Sequence, residues 1–479
     1  MNNKNPRSGL LFRTVSGFLW LLFILSIASI AICYPNAPHW NWKGVFRING
    51  LTLIIWAAVT FFSAVVSTFA SKYLIGFRYY NRFIWLSLGF TISVLLLVFV
   101  DHIALLLLTW FGMGFFMARL IGIDSRWGEA REAARYCQIH FFVGGLFLSA
   151  GILLLSFYAN QFTLTGLMQH INELPFPLLL IPALCIIVAA AIQSAMYPFH
   201  RWLLSAMTSP TPASALMHAG FVNGAGILLT LLAPLFFKSN TMTLLIIIGG
   251  ITAIVAQFTK LIQVNIKQKL GCSTTAQMAF MIMQCGLGFF NAAVVHLILH
   301  GFYKAYLFLS SGEEINHNSP KKYQQRSLNY TQAIAVFALG ILGALFFAWI
   351  TGKGLKLDGG IFLTLIVAIT VGQAMDNIIK RPELSNVKKA FVGPIVFFIS
   401  IGLYALMYNG ATVFMKDLPM IDNPEPLSVL QIVFGVIFLI GFFIMKLGIY
   451  KNFPWLYVRL VNDSQPYKKT VLRYKTSSK

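Results

Sequence analysis

The feature that most constrains this chain is an apolar run of about 20 residues that recurs from one end to the other. A bilayer core is about 30 Å thick, and a helix rising 1.5 Å per residue crosses it with about that many residues. Inside lipid the backbone must satisfy its own polar groups, so a spanning segment is a helix or part of a closed barrel. These runs are continuous rather than alternating, which favours helices. The reading is about fourteen spans, near 10–33, 48–70, 82–100, 102–122, 135–158, 178–200, 211–237, 241–262, 272–290, 292–311, 330–350, 359–379, 390–409 and 428–450. The expected fold is an all-α polytopic membrane protein. Its 479 residues are 58% hydrophobic and 10% charged, far more apolar than a soluble domain of this size needs. Leu10–Cys33 is too long for a signal-peptide core and has no small-residue cleavage site, so it is expected to stay as the first span.

Charge sets the orientation. A net charge of +22 would point to nucleic acid in a soluble chain, but here it marks one face of the membrane. With the N-terminus inside, 27 of the 36 Lys and Arg residues fall on the cytoplasmic side. Lys43, Arg47, Lys238, Lys353, Lys356 and Lys416 fall outside, and Lys260, Lys304 and Lys446 lie within spans. An odd number of spans would mix the two populations, so both termini are expected in the cytoplasm, in a bacterial-type inner membrane.

The connections are less telling. Residues 160–177 carry no Lys or Arg, and Leu164, Leu167, Ile171 and Leu174 recur at helical spacing, as in a short amphipathic helix on the membrane surface. The loop from Arg119 to Arg135 mixes four arginines with Asp124, Glu129 and Glu132, and reads either as a docking surface or as a solvated loop. Residues 313–329 and the tail from Lys451 to Lys479 are polar and basic, and the tail reads either as solvated chain or as a partner site. Cys33, Cys137, Cys185, Cys272 and Cys285 stand singly, with no CxxC pair to suggest a disulfide framework or thiolate metal site. Dinucleotide, Walker A, haem and iron–sulfur spacings are absent from the sequence. A membrane protein without an energy-capturing site of its own is driven by an ion gradient or by a partner.

Polar residues inside spans are expensive and therefore informative. His296, His300 and Lys304 fall at i, i+4 and i+8 of one span, which stacks them along one helix face. A mid-membrane Lys costs about 2.5–3.5 kcal/mol to insert, so it calls for partners, water or a task. The plainer alternative is a Lys snorkelling to the headgroups and histidines bonded to neighbouring helices. His218, in the seventh span, divides evenly between an interhelical bond and a functional role. Lys260 lies near the cytoplasmic end of the eighth span, where snorkelling is a fair account, as it is for Lys267 and Lys269 just beyond. Together these groups suit a proton relay, because imidazole titrates near neutrality and a desolvated amine can be drawn toward it. Pro198 sits in an otherwise helical pattern and is expected to break the sixth span near Gln193. Pro210 and Pro212 open the seventh, with Ser209 or Thr211 as its cap. Asp101 and His102, between two spans, and Asp376, near the end of the twelfth, read as interface residues.

The run SPTPASALMHAG after YPFHRW, with NIKQKLGCSTTAQMAFM and HLILHGFYKAYLFL, resembles the antiporter-like subunits of respiratory complex I and of the Mrp cation/proton antiporters. The likeness covers roughly Trp110 to Gly312, and the wording QMAFMIMQCGLGFF and HGFYKAYLFLSSG most resembles the DabB family, the membrane half of two-component inorganic-carbon pumps. The resemblance implies two inverted five-helix repeats, each with a broken helix, around a polar axis. The expected division is 1–81 for N-terminal helices, 82–237 and 238–409 for the two repeats, 410–450 for a last span and 451–479 for a basic tail. It also implies that His218, His296, His300 and Lys304 line the ion path, joined by Lys260 as a possible substitute for a family lysine. Two positions depart from the family: Phe111 stands where complex I subunits carry a channel glutamate, and Gln193 stands where they carry a lysine.

The expected function is an H+- or Na+-conducting, energy-coupling subunit. By resemblance its partner is a DabA-type, carbonic-anhydrase-like zinc protein on the cytosolic face. Zinc would belong to that partner, because HxxxH at His296 and His300 has no evident third ligand. No cofactor and no enzymatic chemistry are expected in this chain itself. The alternatives are a subunit of an NADH–quinone oxidoreductase-like complex or a cation/proton antiporter, and a non-conducting scaffold that anchors an enzyme.

Overall fold

The computed structural model describes residues 6–311, 330–354, 356–367, 386–447 and 449–470. The chain begins with α1 (Pro6–Cys33), followed by a hairpin of β1 (Trp40–Trp42) and β2 (Phe46–Ile48) that the apolar pattern did not foreshadow. Lys43 and Gly44 both have positive φ, 51° and 69°, as the central residues of a tight turn that the Val45 amide closes by donating to the Trp42 carbonyl at 2.9 Å. Next come α2 (Gly50–Tyr73), α3 (Tyr80–Phe99), α4 (Ile103–Ile121), α5 (Gly128–Ala159), the short α6 (Leu164–His170) and α7 (Phe176–Gln193). Side chains cap the starts of α2, α4 and α6: Asn49 accepts from the Thr52 amide at 2.9 Å, His102 from Ala104 at 3.3 Å and Thr163 from Gly166 at 3.1 Å.

The sixth span does not run on to residue 200. It stops at Gln193, and Pro198 lies in the connection beyond it, after a cis Tyr197–Pro198 bond, rather than inside a helix. The Ile192 carbonyl freed there accepts from the Trp202 indole at 2.8 Å. After α8 (Arg201–Ser205), the seventh span is itself in pieces: α9 (Thr211–Ala219), a 3₁₀ turn (Phe221–Asn223), α10 (Gly224–Leu231) and α11 (Ala233–Lys238). Neither Ser209 nor Thr211 caps α9. Its start is set by Pro210, while the Ser209 hydroxyl pairs with Ser214 at 2.9 Å.

The second half contains α12 (Met242–Ile262), α13 (Ile266–Gly286), α14 (Phe290–Leu309), α15 (Tyr330–Thr351), helical residues 360–367, α16 (Asn386–Phe414), α17 (Val429–Leu447) and α18 (Pro454–Asp463). Ten helices among the described residues are long and apolar enough to cross a membrane, and Ala338–Thr351 and Val429–Gly441 add shorter apolar stretches. Every one of the fourteen expected spans overlaps a helix. Only 360–367 of the twelfth is described, so Asp376 lies outside the described residues, as does the loop 313–329. The least apolar span, α13, is buried from Gly271 to Cys285 apart from Gln277 and Phe280, so its Ser273, Thr274 and Gln284 face protein rather than lipid.

Consecutive helices pack as antiparallel pairs, α1 on α2, α3 on α4 and α12 on α13, with α5 against α7. At the centre α14 packs on α9, α10 and α13. One apolar core runs from Phe12 through Trp110, Trp202 and Phe221 to Phe308, and a second, around Met283, Leu287, Phe289, Phe347, Phe362 and Phe434, closes one end of α14. The rim is apolar and open: Leu21, Ile24, Leu108, Phe157, Ile181 and Tyr306 are exposed, as lipid-facing side chains are. Two expectations about connections change. Leu164, Leu167 and Ile171 of the 160–177 segment are fully buried in the protein rather than laid on the membrane surface. The tail is not loose over its described part, because α18 and residues 464–470 pack on the ends of α5 and α12.

Candidate ion pathway

Three turns of α14 place His296, His300 and Lys304 one above another, as their spacing requires. Lys304 is fully buried and does not snorkel: its ammonium donates to the Leu270 carbonyl in the first turns of α13 at 3.0 Å. Its neighbour Gly301 makes this depth possible, because a Cβ there would lie 2.5 Å from the Phe62 ring and 3.1 Å from the Ala219 carbonyl. His218, at the last turn of α9, comes alongside. Its ring stacks on Phe308 of α14 at 4.3 Å and 13°, within electrostatic reach of Lys304 and Lys267. His300 interacts in turn with Lys304, His296 and His218. Both ring nitrogens of His218 and of His300 are buried, and neither ring has a hydrogen-bond partner among the described residues. Leaving such a group unpaired costs about 1–3 kcal/mol, which packing alone does not justify four times over.

His296 is tied down. Its Nδ1 lies 3.1 Å from Oε1 of Gln284, and its ring centroid is 6.3 Å from that of His300. Lys260 reaches the same cluster from α12, close enough to Lys304 and Cys272 for their charges to interact. The five sequence candidates therefore converge, contributed by α9, α12 and α14. Lys267 departs from its expected snorkelling, because its ammonium donates to the Ser209 carbonyl at 2.9 Å, beside the start of α9.

Gln193 and Pro198 take another role. The break next to His218 lies at Gly220–Asn223, and side chains of the sixth span fill it. Gln193 Nε2 donates to the Phe221 carbonyl at 3.0 Å and Ser194 Oγ to Val222 at 2.7 Å. Asn223 Nδ2 donates back to Ala219 at 2.8 Å and across to Leu297 of α14 at 3.3 Å. Gln193 thus stabilises the break, whereas Pro198 lies in the connection that follows α7. Sequence reasoning missed this second break, although HAGFVNGAG, with three glycines and an Asn in nine residues, carried the signal.

Residues 100–367 match the family described as NADH:quinone oxidoreductase/Mrp antiporter, TM. That stretch is more than half the chain and contains every residue of the cluster. The chain belongs to this family. A Bacillus subtilis relative described as "Probable inorganic carbon transporter subunit DabB" is 30% identical over 84% of this chain and 78% of its own length. A Bacillus anthracis relative of the same description is 33% identical over 67% of this chain, which spans only 63% of that relative. NADH-quinone oxidoreductase subunit L of Escherichia coli is 31% identical over 58% of this chain and 48% of its own length. Among solved structures, a Mrp complex from Dietzia superposes with a TM-score of 0.57 at 21% identity, over 96% of this chain and 51% of that one. An archaeal membrane-bound sulfane sulfur reductase gives 0.60 at 17%, over 97% and 94%. These two likenesses carry the fold alone.

The Phe111 ring lies over Gly145 of α5 and beside Phe142, at 5.8 Å, so an aromatic contact fills the position where the resemblance implied a channel glutamate in complex I subunits. Two charged sites lie elsewhere. Asp101 is buried and accepts from Asn41, from the Thr165 amide and from its hydroxyl at 2.8–3.1 Å, with Arg47 at 3.6 Å. Burial pulls the Arg47 guanidinium below its usual range, and the charges of Asp101 and Asp417 push it back up. On the basic face Arg82, Arg119, Arg131 and Arg135 line a cleft of about 340 Å³.

Proposed function

We propose that this chain is the membrane, energy-coupling subunit of an inorganic-carbon accumulation complex, conducting H+ or Na+ down its gradient to drive a soluble partner. The observation that carries the reading is the buried cluster of His218 and His300 next to Lys304 at membrane depth, with no hydrogen-bond partner for either ring among the described residues. Such groups are costly to keep and suit transient ion or proton occupancy. The carbon-related part of the reading is supported by similarity to proteins described as inorganic carbon transporter subunits. On this reading His296, His300 and Lys304 pass or gate the ion, Lys260 and His218 extend the path, and Gln193 holds open the helix break beside it.

The partner is a DabA-type, carbonic-anhydrase-like subunit that carries zinc and the hydration chemistry, so this chain is a transporter subunit and not the enzyme. The arginine-lined cleft is its docking face. The excess of Lys and Arg on one face supports a cytoplasmic placement of that cleft and of both termini, in the inner membrane. The test is growth in air of a carbonic-anhydrase-deficient host. Rescue is expected when this chain and its partner are expressed together and not with either alone. Rescue by this chain alone, or none with both, contradicts the two-component reading. Co-purifying flavin or iron–sulfur absorbance would assign the chain to a redox complex instead.

A further inference from the structure

We propose that the conducted ion is a proton and that it passes between the histidine stripe and the face opposite the arginine cleft through Tyr404, Tyr408, Asp422 and Lys353, with Gln284 holding the junction. This rests on the pathway reading above and assigns its second half. The route starts at His296, whose Nδ1 lies 3.1 Å from Gln284 Oε1. The same Gln284 side chain lies within interaction range of the Tyr404 phenol on α16. Tyr408 follows one turn later on the same helix, and its hydroxyl donates to Asp422 Oδ1 at 3.3 Å. Asp422 accepts from Lys353 Nζ through both oxygens, at 2.9 and 3.0 Å. There the route meets water: the Lys353 and Asp422 side chains are 16% and 21% exposed, whereas Tyr408 is 1% exposed.

The surroundings make an incidental string of polar contacts a poor account. Met283, Leu287, Phe289, Phe347 and Phe434 form an apolar sleeve in which Tyr408 is buried. A phenol inside such a sleeve costs free energy unless it is bonded, and phenylalanine would pack there without that cost. Asp422 is also fixed to the helix that bears the stripe. Its backbone bridges Phe289, at the start of α14, and the neighbouring Ile421 carbonyl accepts from the Asn291 amide at 3.1 Å.

An amide does not relay protons, so Gln284 is a positioning residue that keeps imidazole and phenol close, and the proton crosses from His296 to Tyr404 on a bridging water that takes up one proton and releases another. The phenols relay. Each accepts one proton on oxygen and releases its own, so a proton reaching His296 is matched by one leaving Asp422 and no residue is left changed. The one-turn step between the two phenols is short enough for a single bridging water. The imidazoles of the stripe take up and release protons but offer Na+ no oxygen ligand, which assigns the ion.

The test uses the assembled complex in vesicles containing a pH-sensitive dye, with flux driven by an imposed potential. Tyr404→Phe, Tyr408→Phe and Asp422→Asn are expected to lower the initial proton flux by at least about tenfold. Lys416→Ala, which loses only a surface bond to Asn36, is expected to retain it. The Phe variants keep the ring and are expected to match wild type in thermal melting, which separates lost relay from lost fold. Wild-type flux in both Phe variants, with flux lost in His300→Ala and Lys304→Ala, overturns this route and leaves the pathway reading standing. Wild-type flux in His300→Ala and Lys304→Ala defeats both. Potential-driven radioactive Na+ uptake without a dye response overturns the proton assignment.

Discussion

Lys304 shows how much a single side chain can require of its neighbours. It is buried at membrane depth against one carbonyl, with Lys260 rather than a carboxylate nearby. Removing it relieves an unfavourable burial, so Lys304→Ala is expected to melt at or above the wild-type temperature and yet abolish rescue of the carbonic-anhydrase-deficient host. Loss of growth with a lower melting temperature would instead mark Lys304 as structural. Gln193 should behave in the opposite way. Gln193→Leu leaves the Phe221 carbonyl buried without its donor, so it should cost about 1–3 kcal/mol of stability in a detergent melt. Asp101 goes further in that direction, because Asp101→Ala strands the buried Arg47. About 3–5 kcal/mol is expected there, readable as a fall in thermal stability, with the proton path itself untouched.

At the scale of elements, two contacts decide whether the path is assembled. The first is the close approach of α14 to α2 and α9 at Gly301, where any side chain meets Phe62 and the Ala219 carbonyl. Gly301→Val is expected to push α14 away from His218 and to reduce both folded yield in the membrane and flux. Expression and flux at wild-type levels would show that the helices can separate there without consequence. The second is the packing of the tail beneath the broken sixth span. The His200 ring lies 2.7 Å from the Asp463 carbonyl, the Tyr467 amide donates to Ser205 at 2.9 Å, and Tyr467 stacks on Tyr136 at 4.4 Å. Truncation after Phe453 removes all three. The expected result is a lower melting temperature and faster proteolysis between Gln193 and Thr211. An unchanged protease pattern would mean that the connection holds without the tail.

At the scale of the molecule, the chain is a lipid-facing apolar shell around a narrow polar interior, with its basic loops gathered at one face. The arginine cleft belongs to that face, and reversing its charge tests the docking assignment. Arg119→Glu combined with Arg131→Glu is expected to reduce co-purification of the partner while leaving the melting temperature of this chain unchanged. Undiminished co-purification would place the partner elsewhere.

The sequence by itself determined the helical, multi-pass class, because the bilayer imposes one length and one hydrogen-bonding solution on every span. It also determined the stripe on α14, because a 3.6-residue repeat places i, i+4 and i+8 on one face whatever surrounds it. Local patterns reached less far wherever the answer depended on distant partners. Pro198 announced a break, but the break beside the stripe lies at Gly220–Asn223, where Gln193, Ser194 and Asn223 supply the missing bonds. Only the tertiary structure decided that Lys304 lies buried against Leu270, that the leucines of 164–171 turn into the core, and that the tail packs on the body. Only it brought Asp422 against the start of α14, through the bridge to Phe289 more than a hundred positions away. Spacing along a helix fixes which residues share a face, whereas the cost of a buried polar group is settled by whatever side chain the fold brings to it.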